Sequence, residues 1–428
     1  MKQLKSVALL WMIFSATIFY VKGSTPKPTG SYRQVVEGFD WGPAVNKVIL
    51  SLDDTTSSVN ANEFAVFATR KSSVGEIAKE QSSGQRTVVF AYVSDERGVR
   101  LEVGKHITLV LAVGPNLPLG SPIQYFRGKG NQWIDYQLSI VNKRSHEVWD
   151  NSIGKIMPLV DQFNLDGKYT YNEVLTMSYA SYAPDSKKEK SPLIIWLHGG
   201  GEGGVDSTIP LLGNLAANYA SEEIQSVFGG AYVLVPQCPG AWMHNSLGVI
   251  THGQQNDMYN EGLMALIKDY VKSNPKIDAS RIYVGGCSNG GYMSLKLILL
   301  YPDYFAGVYI SSLAYQSQYI TDQELLKIKK VPIWFVHSKD DGVTIADQTV
   351  IPVYKRLIAA GAKNVHFTLY EHVYDVTDFF GGEGYQYNGH WSWVYLHKNL
   401  PRTDFDGSPV IVNNKPVSIM EWLAAQKK

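Results

Sequence analysis

The sequence predicts two folds in one chain, an all-β sandwich followed by a doubly wound α/β domain with a mostly parallel sheet. Three observations lead there. Residues 32–141 alternate short β-rich runs with clusters of Asp, Ser, Gly and Pro, and no helical period of useful length intervenes. From about residue 164, near-continuous apolar runs alternate with amphipathic stretches, a pattern that needs a parallel sheet covered on both faces. The pentapeptide Gly286-Cys287-Ser288-Asn289-Gly290 then falls between one such run and one such stretch.

Taken in order, residues 1–23 carry Lys2 and Lys5, an apolar run over 7–20 and the small residue Gly23, with no acidic residue. This reads as a secretory signal peptide and predicts a secreted, extracellular or periplasmic, protein with no membrane contact after cleavage. The rival is an uncleaved anchor, for which a run of about 14 residues is short of the ~20 a span requires. The sandwich is placed at 24–145, with β-runs at 45–52, 63–69, 87–93, 106–113 and 133–141, and about seven antiparallel strands are expected. It contains no cysteine, so an immunoglobulin-like core there would lack an inter-sheet disulfide. The second domain is placed at 146–428, its beginning as far as residue 162 being mixed in character. Strands are expected at 193–197, 232–236, 282–285, 307–310, 333–336 and 366–370, and helices at 257–272, 290–300, 349–360 and 419–426. Chemistry in such a fold sits at the carboxyl ends of the strands.

Composition narrows the function. Lys plus Arg and Asp plus Glu number 39 each, so no charge excess argues for nucleic acid or an acidic membrane. The only cysteines are Cys238 and Cys287, in loops expected to follow neighbouring strands. In an exported chain they could bridge and brace the serine turn against 236–239; the alternative is two unpaired small hydrophobes. His198, His244, His252 and His337 are scattered, without paired metal-ligand spacing, so neither metal nor cofactor is expected.

A serine becomes a nucleophile only when a base takes its proton and an acceptor fixes that base in one tautomer. Beyond Ser288, the run ending near Val336 leads into His337-Ser338-Lys339-Asp340-Asp341-Gly342-Val343. Asp341, four residues after His337 and two before Val343, is the favoured acid, and Asp340 its rival. His390, in a Gly-rich loop before Trp391, is the favoured base, with His372 next; His366 and His397 read as structural. His198-Gly199-Gly200-Gly201 follows directly on a strand, so Gly200 or Gly201 should supply one backbone donor to a developing oxyanion and Asn289 the other. Phosphate binding by this loop is disfavoured because no Gly-Lys-Ser/Thr follows.

Together, His198 to Gly204, Pro236 to Pro239, Gly286 to Gly290, Asp341 and Gly389-His390 resemble the esterases of the α/β-hydrolase superfamily. More narrowly they resemble secreted polyhydroxybutyrate-depolymerase-like and prolyl-oligopeptidase-like esterases with an immunoglobulin-like N-terminal domain, whose opening Val35 to Ala44 is similar. The resemblance implies a serine carboxylic ester hydrolase acting through an acyl-enzyme on a small-molecule or polymer-linked ester, with acetylated or feruloylated plant polysaccharide, short aliphatic esters and polyesters all open as substrates. Trp242, Tyr292 and Trp391 are candidate substrate walls, with ordinary packing as the alternative. Two other functions compete: a serine peptidase using the same triad, and a polysaccharide-binding protein with an inert hydrolase domain. Oligomeric state is open at this level.

Overall fold

A computed structural model describes residues 29–254 and 257–428. The signal peptide expected at 1–23 lies outside the described residues. The N-terminal half comprises β1 (Gly30–Phe39), β2 (Gly42–Thr56), β3 (Phe64–Lys71), the one-turn α1 (Lys79–Ser82), β4 (Ser83–Arg86), β5 (Val88–Ser94), β6 (Gly104–Leu111), a hairpin of β7 (Ile123–Phe126) and β8 (Gly130–Trp133), β9 (Asp135–Asn142) and β10 (Val148–Ile156). Eight of these strands form one sheet in the order β4-β3-β9-β10-β1-β2-β6-β5. Alternation decides which side is buried: β3 turns Phe64, Val66 and Ala68 inward, where they meet Tyr32, Val48, Leu50, Leu109 and Ile140. The two ends of the sheet approach each other through β3 and β5, so the sheet closes over this core as a sandwich.

Two features depart from the sequence reading. β1 pairs in parallel with β10, so the sandwich is not wholly antiparallel. That pairing, together with β10 against β9, places 148–156 in the first sheet, beyond the boundary expected at 145/146. The charged stretch around β10 hides its strand character, because eight of its nine residues are at least partly solvated and only Trp149 is buried.

The second half comprises β11 (Asn164–Tyr171), β12 (Leu175–Tyr182), β13 (Ser191–Leu197), α2 (Thr208–Gly213), α3 (Glu222–Phe228), β14 (Tyr232–Gln237), α4 (Asn260–Ser273), β15 (Ile277–Cys287), α5 (Asn289–Leu300), β16 (Gly307–Ser311), α6 (Asp322–Ile328), β17 (Ile333–Ser338), α7 (Val350–Ala359), β18 (Val365–Tyr370), α8 (Trp393–His397), the short pair β19 (Ile411–Val412) and β20 (Lys415–Pro416), and α9 (Ile419–Ala424). Its sheet runs β11-β12-β14-β13-β15-β16-β17-β18. The last six strands are parallel, and β11 and β12 add an antiparallel edge absent from the sequence reading. β13 is buried along its whole length: Ile194 and Trp196 face one core, Leu193, Ile195 and Leu197 the other. Since chain order reverses between β14 and β15 on either side of β13, the loops after β13 and β15 open a crevice between them.

The halves share one apolar core, in which Val36 and Val45 join Leu212 and Ala216. Trp41 stacks on Phe39 at 4.9 Å and meets the edge of Phe380 at 4.9 Å. Lys398 Nζ lies 3.0 Å from the buried Asp40 carboxylate, whose pKa burial raises and Lys398 partly restores. Among the described residues no helix is long and apolar enough to cross a membrane. Asp40→Ala should lower stability by about 1–2 kcal/mol, less than for a fully enclosed pair, because Lys398 is a quarter exposed and can turn to solvent. A reduced urea midpoint with an unchanged slope is the expected outcome.

Candidate active site

β15 ends in Gly285-Gly286-Cys287, and the chain turns into α5 at Ser288, whose backbone lies at φ 53°, ψ −115°. This is a costly conformation for a residue with a Cβ, and surrounding close contacts impose it. A Cβ on Gly290 would overlap the carbonyl oxygen of Leu197 at the end of β13, so only glycine allows α5 to approach that strand. Ser288 N–H donates to Ser311 O at 3.0 Å and Tyr292 N–H to Ser288 O at 2.9 Å, pinning both sides of the turn.

His390 Nε2 lies 2.9 Å from Ser288 Oγ, and its Nδ1 lies 2.9 and 3.1 Å from the two oxygens of Asp341. Asp341 is buried in the loop beyond β17. Burial alone would raise its pKa, but hydrogen bonds from His337, His390 and Thr344 outweigh it and hold the carboxyl well below the usual carboxylate range. Val343 and Thr344 N–H each donate to Oδ1 at 2.8 Å, Thr344 Oγ1 donates to Oδ2 at 2.7 Å, and His337 Nε2 sits 3.1 Å from Oδ2. Asp340 instead pairs with His372 at 3.0 Å on the surface. His366 pairs with Asp404 at 2.7 Å, and His397 is buried against Trp196 and Tyr219. The histidine loop is anchored from below by Ser312 Oγ, which donates to His390 O at 2.7 Å and shares a hydroxyl cluster with Ser311 and Ser392.

The loop after β13 is held by its carbonyls. His198 Nδ1 lies 2.6 Å from Gly199 O, while Nε2 accepts from Cys238 N–H at 3.2 Å. The ring is therefore neutral and in one tautomer, and burial lowers its pKa to about 4. Gly199 N–H donates to Asn214 Oδ1 at 3.1 Å, and Gln237 Nε2 donates to Glu202 O at 2.8 Å. Among the described residues the N–H groups of Gly200, Gly201 and Asn289 have no protein acceptor, and these residues face the same cleft as Ser288 and His390. That cleft has a volume of about 1350 Å³ and takes Trp41 and Tyr125 from the N-terminal domain and Met243, Trp391 and Trp393 from the other.

Three expectations change. Trp242 is fully buried behind the cleft: its indole donates to His198 O at 3.1 Å and its backbone N–H to Asn289 Oδ1 at 2.6 Å, so it braces the loops rather than walling the cleft. Tyr292 is equally buried and donates to Asp257 at 2.6 Å; of the three aromatic candidates, only Trp391 lines the cleft. Cys238 and Cys287 are free. β13 separates the strands that precede them, which is two strand spacings or roughly 9–10 Å, and they pack in different cores. Glu202, Asn214 and Asn131 escaped the sequence reading because a polar residue in or near a Gly-rich loop has no pattern that distinguishes support from solvation. His337 had a signal, its spacing of four from Asp341.

Residues 31–155 match the esterase Ig-like N-terminal domain family, and residues 182–378 the phospholipase/carboxylesterase family. A feruloyl esterase B of Neurospora crassa is 33% identical over 138 residues, covering 32% of this chain and 44% of that protein. Feruloyl esterase B of Thermothelomyces thermophilus is 30% identical over 135 residues, 31% of this chain and 43% of that protein. Poly(3-hydroxyalkanoate) depolymerase C of Paucimonas lemoignei is 30% identical over 135 residues, 29% and 28% of the two chains. The chain thus spans less than half the length of these relatives. A solved thermostable esterase shares the fold of both domains, with a TM-score of 0.73 at 20% identity, covering 93% of this chain and 100% of its own.

One charge in this site is held in the opposite sense to Asp341. Glu202 is buried, and burial raises its pKa to about 7 against bonds from Asn131, Gly199 and Asn214 that lower it. The unfolded chain ionises this group from about pH 4.5, so its contribution to stability is intact below that pH and is lost as pH rises to about 7. Glu202→Gln should therefore match the parent near pH 4.5 and exceed it by about 3 kcal/mol near pH 8, read from urea midpoints at the two pH values.

Proposed function

From a chain that joins an esterase Ig-like domain to a phospholipase/carboxylesterase domain, we propose a serine carboxylic ester hydrolase working through an acyl-enzyme. The observation that carries the reading is the continuous path from Ser288 Oγ through both nitrogens of His390 to a buried, ionised Asp341. Ser288 Oγ attacks the ester carbonyl carbon as its proton passes to His390 Nε2. Asp341 stabilises the imidazolium, and the carbonyl oxygen takes up negative charge opposite the Gly200 or Gly201 and Asn289 amides. Collapse breaks the bond to the alkoxy oxygen, which leaves as the alcohol with the proton from His390. Water then adds to the acyl carbon, giving its proton to the same nitrogen, and the serine is released with the free acid.

For substrate, we propose polymer-linked acyl groups of acetyl or feruloyl type, met outside the cytoplasm after export. Support comes from the feruloyl esterase relatives, from the leader-like residues 1–23, and from a cleft of about 1350 Å³ with Trp41, Tyr125, Trp391 and Trp393 around it. A fluorophosphonate should label the parent protein and not Ser288→Ala, and the substitution should lower kcat/KM on methyl ferulate or p-nitrophenyl acetate by about 10⁴-fold or more. Turnover of an alanyl-p-nitroanilide without turnover of either ester would sink the ester reading in favour of a peptidase. Failure of the parent to label would favour a binding role.

A further inference from the structure

Gly199-Gly200-Gly201 has no side chains to hold it, so the direction of its N–H groups is set by whatever fixes the adjoining carbonyls. In a planar trans peptide the C=O of one residue and the N–H of the next point opposite ways. The His198 contact at Gly199 O therefore aims the Gly200 N–H. The next fixed plane is that between Gly201 and Glu202, and its carbonyl is held from the other domain: Asn131 N–H, in β8, donates to Gly201 O at 2.7 Å. Asn131 Nδ2 also donates to the buried Glu202 Oε1 at 2.7 Å. The approach is so close that a Cβ on Gly130, itself at φ +72°, would overlap Gly201 O. A second anchor seats the hairpin, Trp133 Nε1 donating to Thr208 Oγ1 at 2.8 Å at the start of α2.

We propose that Asn131 is a positioning residue of the active site: His198 holds the plane that carries the Gly200 amide, and the β7–β8 hairpin of the N-terminal domain holds the Gly201–Glu202 plane, so that the Gly200–Gly201 peptide between them, which carries the Gly201 amide, is fixed against the Asn289 amide and both domains build the oxyanion hole. The inference rests on the ester-hydrolase reading above. Without the Asn131 side chain, the Gly201 carbonyl keeps a backbone donor, but Glu202 loses the 2.7 Å bond that ties it to the hairpin and is free to drag the loop. With Gly130→Ala, the hairpin is pushed off the loop and both contacts open. Gly130 and Asn131 border the cleft without belonging to the reacting set, and the amides they help hold meet the carbonyl oxygen most strongly once it carries charge, so the effect must appear in the transition state more than in substrate binding.

The test uses the full chain with p-nitrophenyl acetate as substrate and phenylboronic acid, which adds to the serine as a tetrahedral anion, as a transition-state mimic. Asn131→Ala should lower kcat about ten-fold with KM changed less than about two-fold, and weaken boronate inhibition by about the same ten-fold. Gly130→Ala should do at least as much, and Gln132→Ala, which alters the same hairpin where its side chain bonds only Lys129 O, should match the parent. Thermal unfolding of each variant is measured alongside. Unchanged kcat and boronate affinity in both Asn131→Ala and Gly130→Ala, whatever their melting temperatures, would overturn the inference and leave the hydrolase reading intact. A rise in KM alone would also overturn it. A parent protein inert to ester and fluorophosphonate would overturn the hydrolase reading and this inference with it.

Discussion

The close approach of α5 to the end of β13 is the constraint on which the rest of the molecule turns. With no side chain at Gly290, the first turn of α5 lies against Leu197 and His198, and Ser288 is forced to φ 53° at the head of the helix. That contact brings the two loops flanking the reversal of strand order within reach of each other. The glycine loop after β13 and the serine turn after β15 then share one cleft, with Trp242 tied to both through His198 O and Asn289 Oδ1. A bulkier residue at position 290 would separate a nucleophile from its donors even if every polar residue of the site were retained.

Two acids in this region are held in opposite charge states by the same burial. Asp341 collects donors from two backbone amides, a hydroxyl and two imidazoles, and these overcome the cost of desolvating it. Glu202 receives only neutral amide donors, from Asn131, Gly199 and Asn214, and these do not outweigh desolvation, so its proton is retained to about pH 7. Below about pH 7, charge is thus kept beneath the imidazole, where a cation forms, and kept away from the glycine loop, where negative charge would be repelled. The partners decide both outcomes, since both carboxyls are buried: Asp341 faces imidazoles, one of them attracting its charge, whereas Glu202 faces neutral amides alone.

The N-terminal domain is more than an appendage in physical terms. Its sheet shares a core with α2 and the segment after it, Trp41 and Tyr125 reach the cleft, and Asn131 contacts the loop that follows β13. An antiparallel hairpin is suited to such a task because its ladder and the Trp133 anchor make it stiff while Gly130 and Asn131, at the start of β8, reach across.

The sequence alone determined the two compositional halves, the parallel strands around β13 and β15, and the candidate order of serine, acid and histidine. These are local properties: strand alternation, continuous apolar runs and a glycine-flanked serine between a strand and a helix each leave a mark within a dozen residues. Tertiary structure decided what depends on distance across strands. It set β13 between Cys238 and Cys287, turned Trp242 and Tyr292 inward behind the cleft, gave Asp340 to His372 and Asp341 to His390, and joined β10 to β1. The Asn131 to Glu202 contact spans 71 positions in the chain. No periodicity or motif encodes such a pair, because the bond offsets the burial of a carboxyl, and that burial exists only once the two domains are packed.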